Sequence, residues 1–278
     1  MRTKIYFTDS YHSLIKGKLK VADGYKEGFF IIDTACTHCL INSVYCDEKS
    51  HDLNNTCNSI TAGNVSKESK LYEFAYTIED DNYSNNFQEI ENLNAMIGNS
   101  SIPLLGLLGL SFLWKNKMVI DYKIGEIYTL EPDFKLNVED LHLCFSLASG
   151  LENWRLPVVG ITNDKNEDLL VAMVDTGSNS NIMCKPTLEE FKYENTGKID
   201  EVTYISGQKK NTISKVQFYI LSAKGQNLDY QEKSAFFSIS ELEYLLKEKD
   251  NSISCILGNL FLLENKMTID FKNCIIYA

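Results

Sequence analysis

The chain has little that would carry it into a membrane or onto a nucleic acid. No stretch approaches the roughly 18–20 apolar residues of a membrane helix, and the opening Met-Arg-Thr-Lys-Ile-Tyr-Phe-Thr-Asp lacks the apolar centre of a secretion signal. Basic residues are scarce. The 27 Lys and Arg stand against 38 Asp and Glu, and a net charge of −11 leaves nothing to neutralise phosphates. His12, His51 and His142 lie apart from one another, so no Ser/His/Asp or Cys/His triad is in prospect. The eight cysteines are irregularly spaced, form no disulfide framework and read as reduced thiols. These absences predict a cytoplasmic protein without nucleic-acid or membrane partners; a leader removed ahead of residue 1 would instead make it secreted.

What the chain does contain is organised around 169–183, Leu-Leu-Val-Ala-Met-Val-Asp-Thr-Gly-Ser-Asn-Ser-Asn-Ile-Met. The six-residue apolar run, bounded at once by Gly, Ser and Asn, reads as a buried strand ending in a tight polar loop. Asp175 sits where strand becomes loop. A carboxylate in that position must find hydrogen-bond donors or carry a shifted pKa, which makes it a functional candidate. An isolated Asp-Thr-Gly is more often a turn aspartate bonded to its own backbone.

A second copy alters that balance. Residues 28–41 read Gly-Phe-Phe-Ile-Ile-Asp-Thr-Ala-Cys-Thr-His-Cys-Leu-Ile, and the two aspartates lie 142 residues apart in a 278-residue chain. Gly109-Leu-Ser-Phe-Leu-Trp-Lys-Asn-Lys-Met-Val-Ile-Asp-Tyr-Lys is matched without a gap by Gly258-Asn-Leu-Phe-Leu-Leu-Glu-Asn-Lys-Met-Thr-Ile-Asp-Phe-Lys, each preceded by two apolar residues. Gly17 and Gly160 stand similarly before the aspartates, and Gly63 and Gly207 after them. Ordered matches at nearly constant spacing predict two similar lobes produced by duplication and fusion. With 44% hydrophobic content, the chain can bury one large core or two modest ones.

The doubled set of apolar-apolar-Asp-Thr-Gly/Ala and later apolar-apolar-Gly resembles the aspartic proteases of the pepsin and retropepsin group. The size of each half resembles a retropepsin-like dimer fused into one chain. The resemblance implies a mainly β, bilobal fold with a few short helices, with lobes at 1–131 and 140–278 and a linker at 132–139. It implies catalytic carboxylates at Asp33 and Asp175, supported by Thr34, Ala35, Cys36, Thr176, Gly177 and Ser178. Flap tips would fall at Ala62-Gly63 and Ser206-Gly207. It also implies a monomer that takes a peptide or protein substrate in the cleft and needs no metal or cofactor.

Two carboxylates about 3 Å apart cannot both ionise, so such a pair would hold one proton and activate a water between them. Ala35, where the pattern has Gly, narrows the backbone's range and the space above the loop. It opens an alternative reading, a weak or inactive pseudoprotease that only binds extended peptides. Ser178 opposite Cys36 predicts an asymmetric pair: a hydroxyl on the outer oxygen of Asp175 would favour its charged form and leave Asp33 protonated. Cys36-Thr-His-Cys39 invites a zinc or redox reading, but no second ligand pair follows at zinc-finger spacing. Small loop or pocket-lining residues are the leading interpretation.

Three helices are predicted besides those after Gly109 and Gly258. Phe87–Ile97 places Ile90, Leu93, Met96 and Ile97 on one face. Pro186 opens a short helix, and Ser240-Glu-Leu-Glu forms a capping box ahead of a stripe of Leu242, Leu245 and Leu246.

Overall fold

A computed structural model describes residues 1–46, 52–61, 65–91, 93–98, 101–131, 142–143, 145–149, 155–165, 169–204, 207–224, 227–248 and 251–277. The proposed linker, 132–139, lies outside them. The described chain is mostly strand, with three short helices at Leu110–Lys115, Lys185–Leu188 and Asn259–Glu264.

Each lobe is built around the same crossing. In the first, Gly24–Ile32 delivers Asp33 and runs parallel to Leu104–Leu108, which also pairs antiparallel with the outgoing Cys39–Asn42. In the second, Leu170–Asp175 runs parallel to Cys255–Gly258, which pairs antiparallel with Asn181–Cys184. A central strand thus lies between the strand entering each aspartate loop and the strand leaving it. Around the aspartates these strands are apolar and buried, at Phe30–Ile32, Leu104–Leu108, Ala172–Val174 and Cys255–Leu257, as strands covered on both faces require.

Gly109 and Gly258 are where the central strand turns into a helix beneath the aspartate loop. A Cβ at Gly109 would lie 2.3 Å from the His38 carbonyl oxygen and 2.5 Å from that of Cys36. At Gly258 the same atom would meet the Ser180 carbonyl at 2.5 Å and the Ser178 carbonyl at 2.8 Å. The glycines let two backbones touch. Leu110 N–H then donates to the Cys36 carbonyl and Asn259 N–H to the Ser178 carbonyl, both at 2.8 Å.

The lobes join through a continuous sheet. Arg2–Lys4, Glu126–Thr129 and Met118–Asp121 from the first half adjoin Thr268–Asp270, Ile275–Tyr277 and His142–Leu143 from the second. At the centre Ile120 pairs with Ile269, its own counterpart in the ungapped repeat. Either side of it, Tyr122 N–H donates to the Met267 carbonyl and Phe271 N–H to the Met118 carbonyl, each at 3.0 Å. Such reciprocity is what an approximate twofold axis through the seam produces. The matched stretches agree in finer detail too: Lys117 and Lys266 both have φ of 51°, while Gly125 (φ 70°) is matched by Cys274 (φ 59°). Gly17 and Gly160 differ by one place. Gly17 pairs with Gly28, five residues before Asp33, but Gly160 pairs with Val171, four before Asp175.

Two predicted helices are corrected. Over 87–97 the strand Asp81–Ile90 continues to Ile90, and only Leu93–Ile97 is helical, as a 3-10 turn. Parallel pairing of Cys39–Asn42 with Phe87–Ile90 satisfies this backbone, so the ladder overrides the helical spacing. The apolar residues still converge, with Ile90, Leu93 and Ile97 in one buried cluster and Met96 packed against it. At the capping box, strand Asn227–Ser240 runs up to Ser240, which pairs with Cys184. The Ser240 hydroxyl accepts only a turn bond from Leu242 N–H at 3.3 Å, and Leu246–Glu248 pairs with Asn251–Ile253 as a small hairpin.

Gly258→Ala is expected to cost about 3 kcal/mol, because the new methyl meets backbone that cannot withdraw. Gly125→Ala, where nothing lies within 4 Å of the added atom, is expected to cost only about 1 kcal/mol for its positive φ. Urea unfolding of the two variants checks this, and equal losses would contradict the close-packing account.

Candidate active site

The two aspartate loops meet back to back. Thr34 N–H donates to Thr176 Oγ1 at 3.1 Å, and Thr176 N–H returns the bond to Thr34 Oγ1 at 3.0 Å. Each hydroxyl also donates across the seam, Thr34 to the Val174 carbonyl at 2.6 Å and Thr176 to the Ile32 carbonyl at 2.8 Å. Both threonines are fully buried. Every hydroxyl lone pair and proton used here crosses from one lobe to the other, so neither loop can shift without unpairing polar groups in both.

The grip brings Asp33 and Asp175 together. Each carboxylate accepts two N–H bonds on one oxygen: Asp33 Oδ1 from Ala35 (2.8 Å) and Cys36 (2.9 Å), Asp175 Oδ1 from Gly177 (2.8 Å) and Ser178 (3.1 Å). Each carboxyl is close enough to the other for the two to titrate together. Asp33 reaches so far over the opposite loop that a Cβ on Gly177 would fall 2.3 Å from its carboxyl carbon. A side chain at 177 would therefore displace the Asp33 carboxyl. At the mate position Ala35 keeps its N–H on Asp33 and packs its methyl against the main core.

Burial raises both carboxyl groups above the ordinary range. The charge of Asp33 adds to burial at Asp175, and two N–H donors pull each group partly back, Ala35 and Cys36 at Asp33, Gly177 and Ser178 at Asp175. Like charges this close leave one proton on the pair.

The expected asymmetry between Ser178 and Cys36 is corrected. The Ser178 hydroxyl donates to the Ser180 carbonyl at 2.7 Å, and the Cys36 thiol donates to the His38 carbonyl at 3.1 Å. Both side chains close their own loops and leave the outer carboxylate oxygens alone, which removes the ground for an ionised Asp175. Burial, then Asp33's charge, pushes the Cys36 thiol well up, and burial raises Cys39, which lies 3.3 Å from the Ser111 hydroxyl. Both remain thiols, and among the described residues no three His, Cys, Asp or Glu side chains gather as for a metal.

Of the flap positions, Ala62, Gly63 and Ser206 lie outside the described residues. The hairpins leading to them are described: Asp52–Thr61 pairs with Val65–Ile78 up to Thr61 and Val65, and Lys192–Tyr204 with Gly207–Lys224 up to Tyr204 and Gly207. The second is fastened to the aspartate loop by the Ser180 hydroxyl, which donates to Asp200 Oδ2 at 3.2 Å.

Sequence reasoning missed one set of residues. Asn259, fully buried, accepts from Ser13 and Tyr122 and donates to the Thr176 carbonyl. Its only sequence signal is a mismatch in the ungapped repeat, Asn259 against Leu110 and Tyr122 against Phe271.

No protein-family model matches the chain, and no curated protein matches it in sequence. The structure is similar to the crystal structure of an aspartic proteinase from Irpex lacteus, with a TM-score of 0.55 over 99% of this chain and 96% of that one, at 8% identity. At this identity the likeness is one of fold. The chain has the bilobal, mainly β fold of an aspartic proteinase. Among the described residues no helix is long and apolar enough to cross a membrane.

Two outcomes are expected at this site. Thr34→Val removes a hydroxyl that both donates and accepts across the seam and is expected to cost about 3 kcal/mol in chemical unfolding, with Thr34→Ser retaining most of it; equal losses would contradict the grip. The raised aspartates stabilise the fold fully only below their unfolded pKa, and that contribution is lost as pH rises through the folded values. An Asp33→Asn/Asp175→Asn variant is thus expected to be more stable than the native chain at neutral pH, by roughly 1–3 kcal/mol, with the difference shrinking as pH falls into the ordinary aspartate range. A difference that ignores pH would contradict the shared proton.

Proposed function

We propose that the chain is an aspartic endopeptidase, hydrolysing peptide bonds of an extended substrate held between its two lobes. The observation that supports this reading is the reciprocal threonine grip, which joins the loops of two buried aspartates and leaves the Asp33 carboxyl over Gly177 of the other loop. One proton on two carboxyls supplies a base and an acid at one point. The ionised carboxylate of the pair takes a proton from water as the water oxygen bonds to the scissile carbonyl carbon. The protonated partner gives its proton to the carbonyl oxygen, forming a neutral gem-diol. Collapse breaks the C–N bond, with one diol hydroxyl proton returning to the carboxylate that gave its proton up as the carboxyl product forms, and the proton taken from water passing to the leaving amine. The pair ends as it began, without a covalent intermediate.

The hairpins ending near residues 61–65 and 204–207 would close over the substrate as two flaps, the arrangement of a retropepsin-like dimer carried in one duplicated chain. Such a chain has no need of a second copy and acts as a monomer. A peptide-binding pseudoprotease is the second reading, favoured by Ala35, which stands where the aspartic-protease pattern has Gly.

The test is incubation with a denatured protein and a peptide mixture from acidic to neutral pH, read by mass spectrometry. Cleavage is expected, with Asp33→Asn and Asp175→Asn each lowering kcat/KM by about a thousandfold or more. Undiminished cleavage by either variant would contradict the mechanism, and native peptide binding without turnover would favour the second reading.

A further inference from the structure

One polar cluster breaks the twofold pattern of the seam. Asn259 Oδ1 accepts from the Ser13 hydroxyl at 2.9 Å and from the Tyr122 hydroxyl, and these two hydroxyls lie 3.1 Å apart. Its Nδ2 donates to the Thr176 carbonyl. All four residues are buried, Asn259, Ser13 and Thr176 completely. Ser13 and Tyr122 belong to the first half of the chain, Asn259 and Thr176 to the second. In the ungapped repeat Asn259 is matched by Leu110 and Tyr122 by Phe271, so the other lobe has no counterpart.

The peptide group between Thr176 and Gly177 is engaged at both ends. Its carbonyl takes the Asn259 amide, and its N–H donates to Asp175 Oδ1 at 2.8 Å. A donor on a peptide oxygen polarises that peptide and strengthens its N–H as a donor. The corresponding Ala35 N–H also lies 2.8 Å from Asp33 Oδ1, but Leu110 has no group to offer the Thr34 carbonyl. The carboxylates are therefore held by peptide groups of unequal polarity.

We infer that Asn259, clamped by Ser13 and Tyr122 of the opposite lobe, is a positioning residue for Asp175 that makes the two aspartates inequivalent. This deepens the peptidase reading and depends on it for its catalytic meaning. Three titratable groups face Asp175: Asp33 across the pair, Cys36 beside Asp33, and Tyr122 within the cluster. His12, next to Ser13, turns its ring to Ser10 and Thr8. Among the described residues no cation faces the pair, so the N–H donors of Gly177 and Ser178 are what oppose burial and the charge of Asp33 at Asp175.

The test is a carboxyl-carbon NMR titration of the intact chain, which needs no turnover. Asn259→Leu removes the donor, and Ser13→Ala/Tyr122→Phe/Asn259→Leu removes it without stranding the two hydroxyls. Both are expected to raise the upper titration step of the pair by about 0.5 pH unit, with a smaller rise in Tyr122→Phe, where Ser13 still holds Asn259. The alkaline limb of the pH–rate profile should move the same way, since weaker donation disfavours the Asp175 anion. Titration curves of the folded triple variant that superimpose on the native ones would overturn the inference, because a merely structural cluster alters stability alone. Absence of peptidase activity in the native chain would count against the proposed function, while the titration would still decide this point.

Discussion

Four hydrogen bonds between Thr34 and Thr176 and their surroundings fix everything else about the centre of this molecule. They lie in a fully buried seam where no water can replace a lost partner, so each is costly to leave unmade. The grip can form only if both loops arrive in register. That register is set from below by Gly109 and Gly258, which let the central strand of each lobe touch the opposite turn of its own loop, and by the inter-lobe sheet centred on Ile120 and Ile269. The carboxylates are passengers on this scaffold. Placing two acids side by side in a buried site opposes folding at neutral pH, and the threonines, glycines and shared core supply the stability that tolerates it.

Near-symmetry brings the acids together, while departures from symmetry let them differ. A side chain at Gly177 would displace the Asp33 carboxyl that lies over it, whereas Ala35 finds room for its methyl. Asn259 and Tyr122 place polar groups where Leu110 and Phe271 place carbon. A shared proton already divides two identical side chains into acid and base, and unequal surroundings bias which of them carries it.

The aspartate loops, the apolar-apolar-Gly turns and the paired lobes could be read from the sequence because each is a local pattern that occurs twice. Features decided by distant partners could not. The spacing of Ile90, Leu93, Met96 and Ile97 suits a helix face, yet pairing with Cys39–Asn42 draws Phe87–Ile90 into the sheet. Ser240-Glu-Leu-Glu has the composition of a helix start, but a strand ending at Ser240 occupies the position. The Ser178 hydroxyl was expected on Asp175, and a backbone carbonyl two residues on takes it instead. Asn259 was visible only as a mismatch between the two copies, with no sequence rule to say that its partners would come from the other lobe.

The central claim, two carboxyls sharing one proton at the seam, is tested most directly by a crystal structure at a resolution that separates carboxyl C–O bond lengths. The account expects the nearest oxygens of Asp33 and Asp175 to lie about 3 Å apart, with unequal C–O lengths in one carboxyl, marking the proton, and equal lengths in the other. Carboxyl groups too far apart to hydrogen-bond, each with equal C–O lengths, would contradict it.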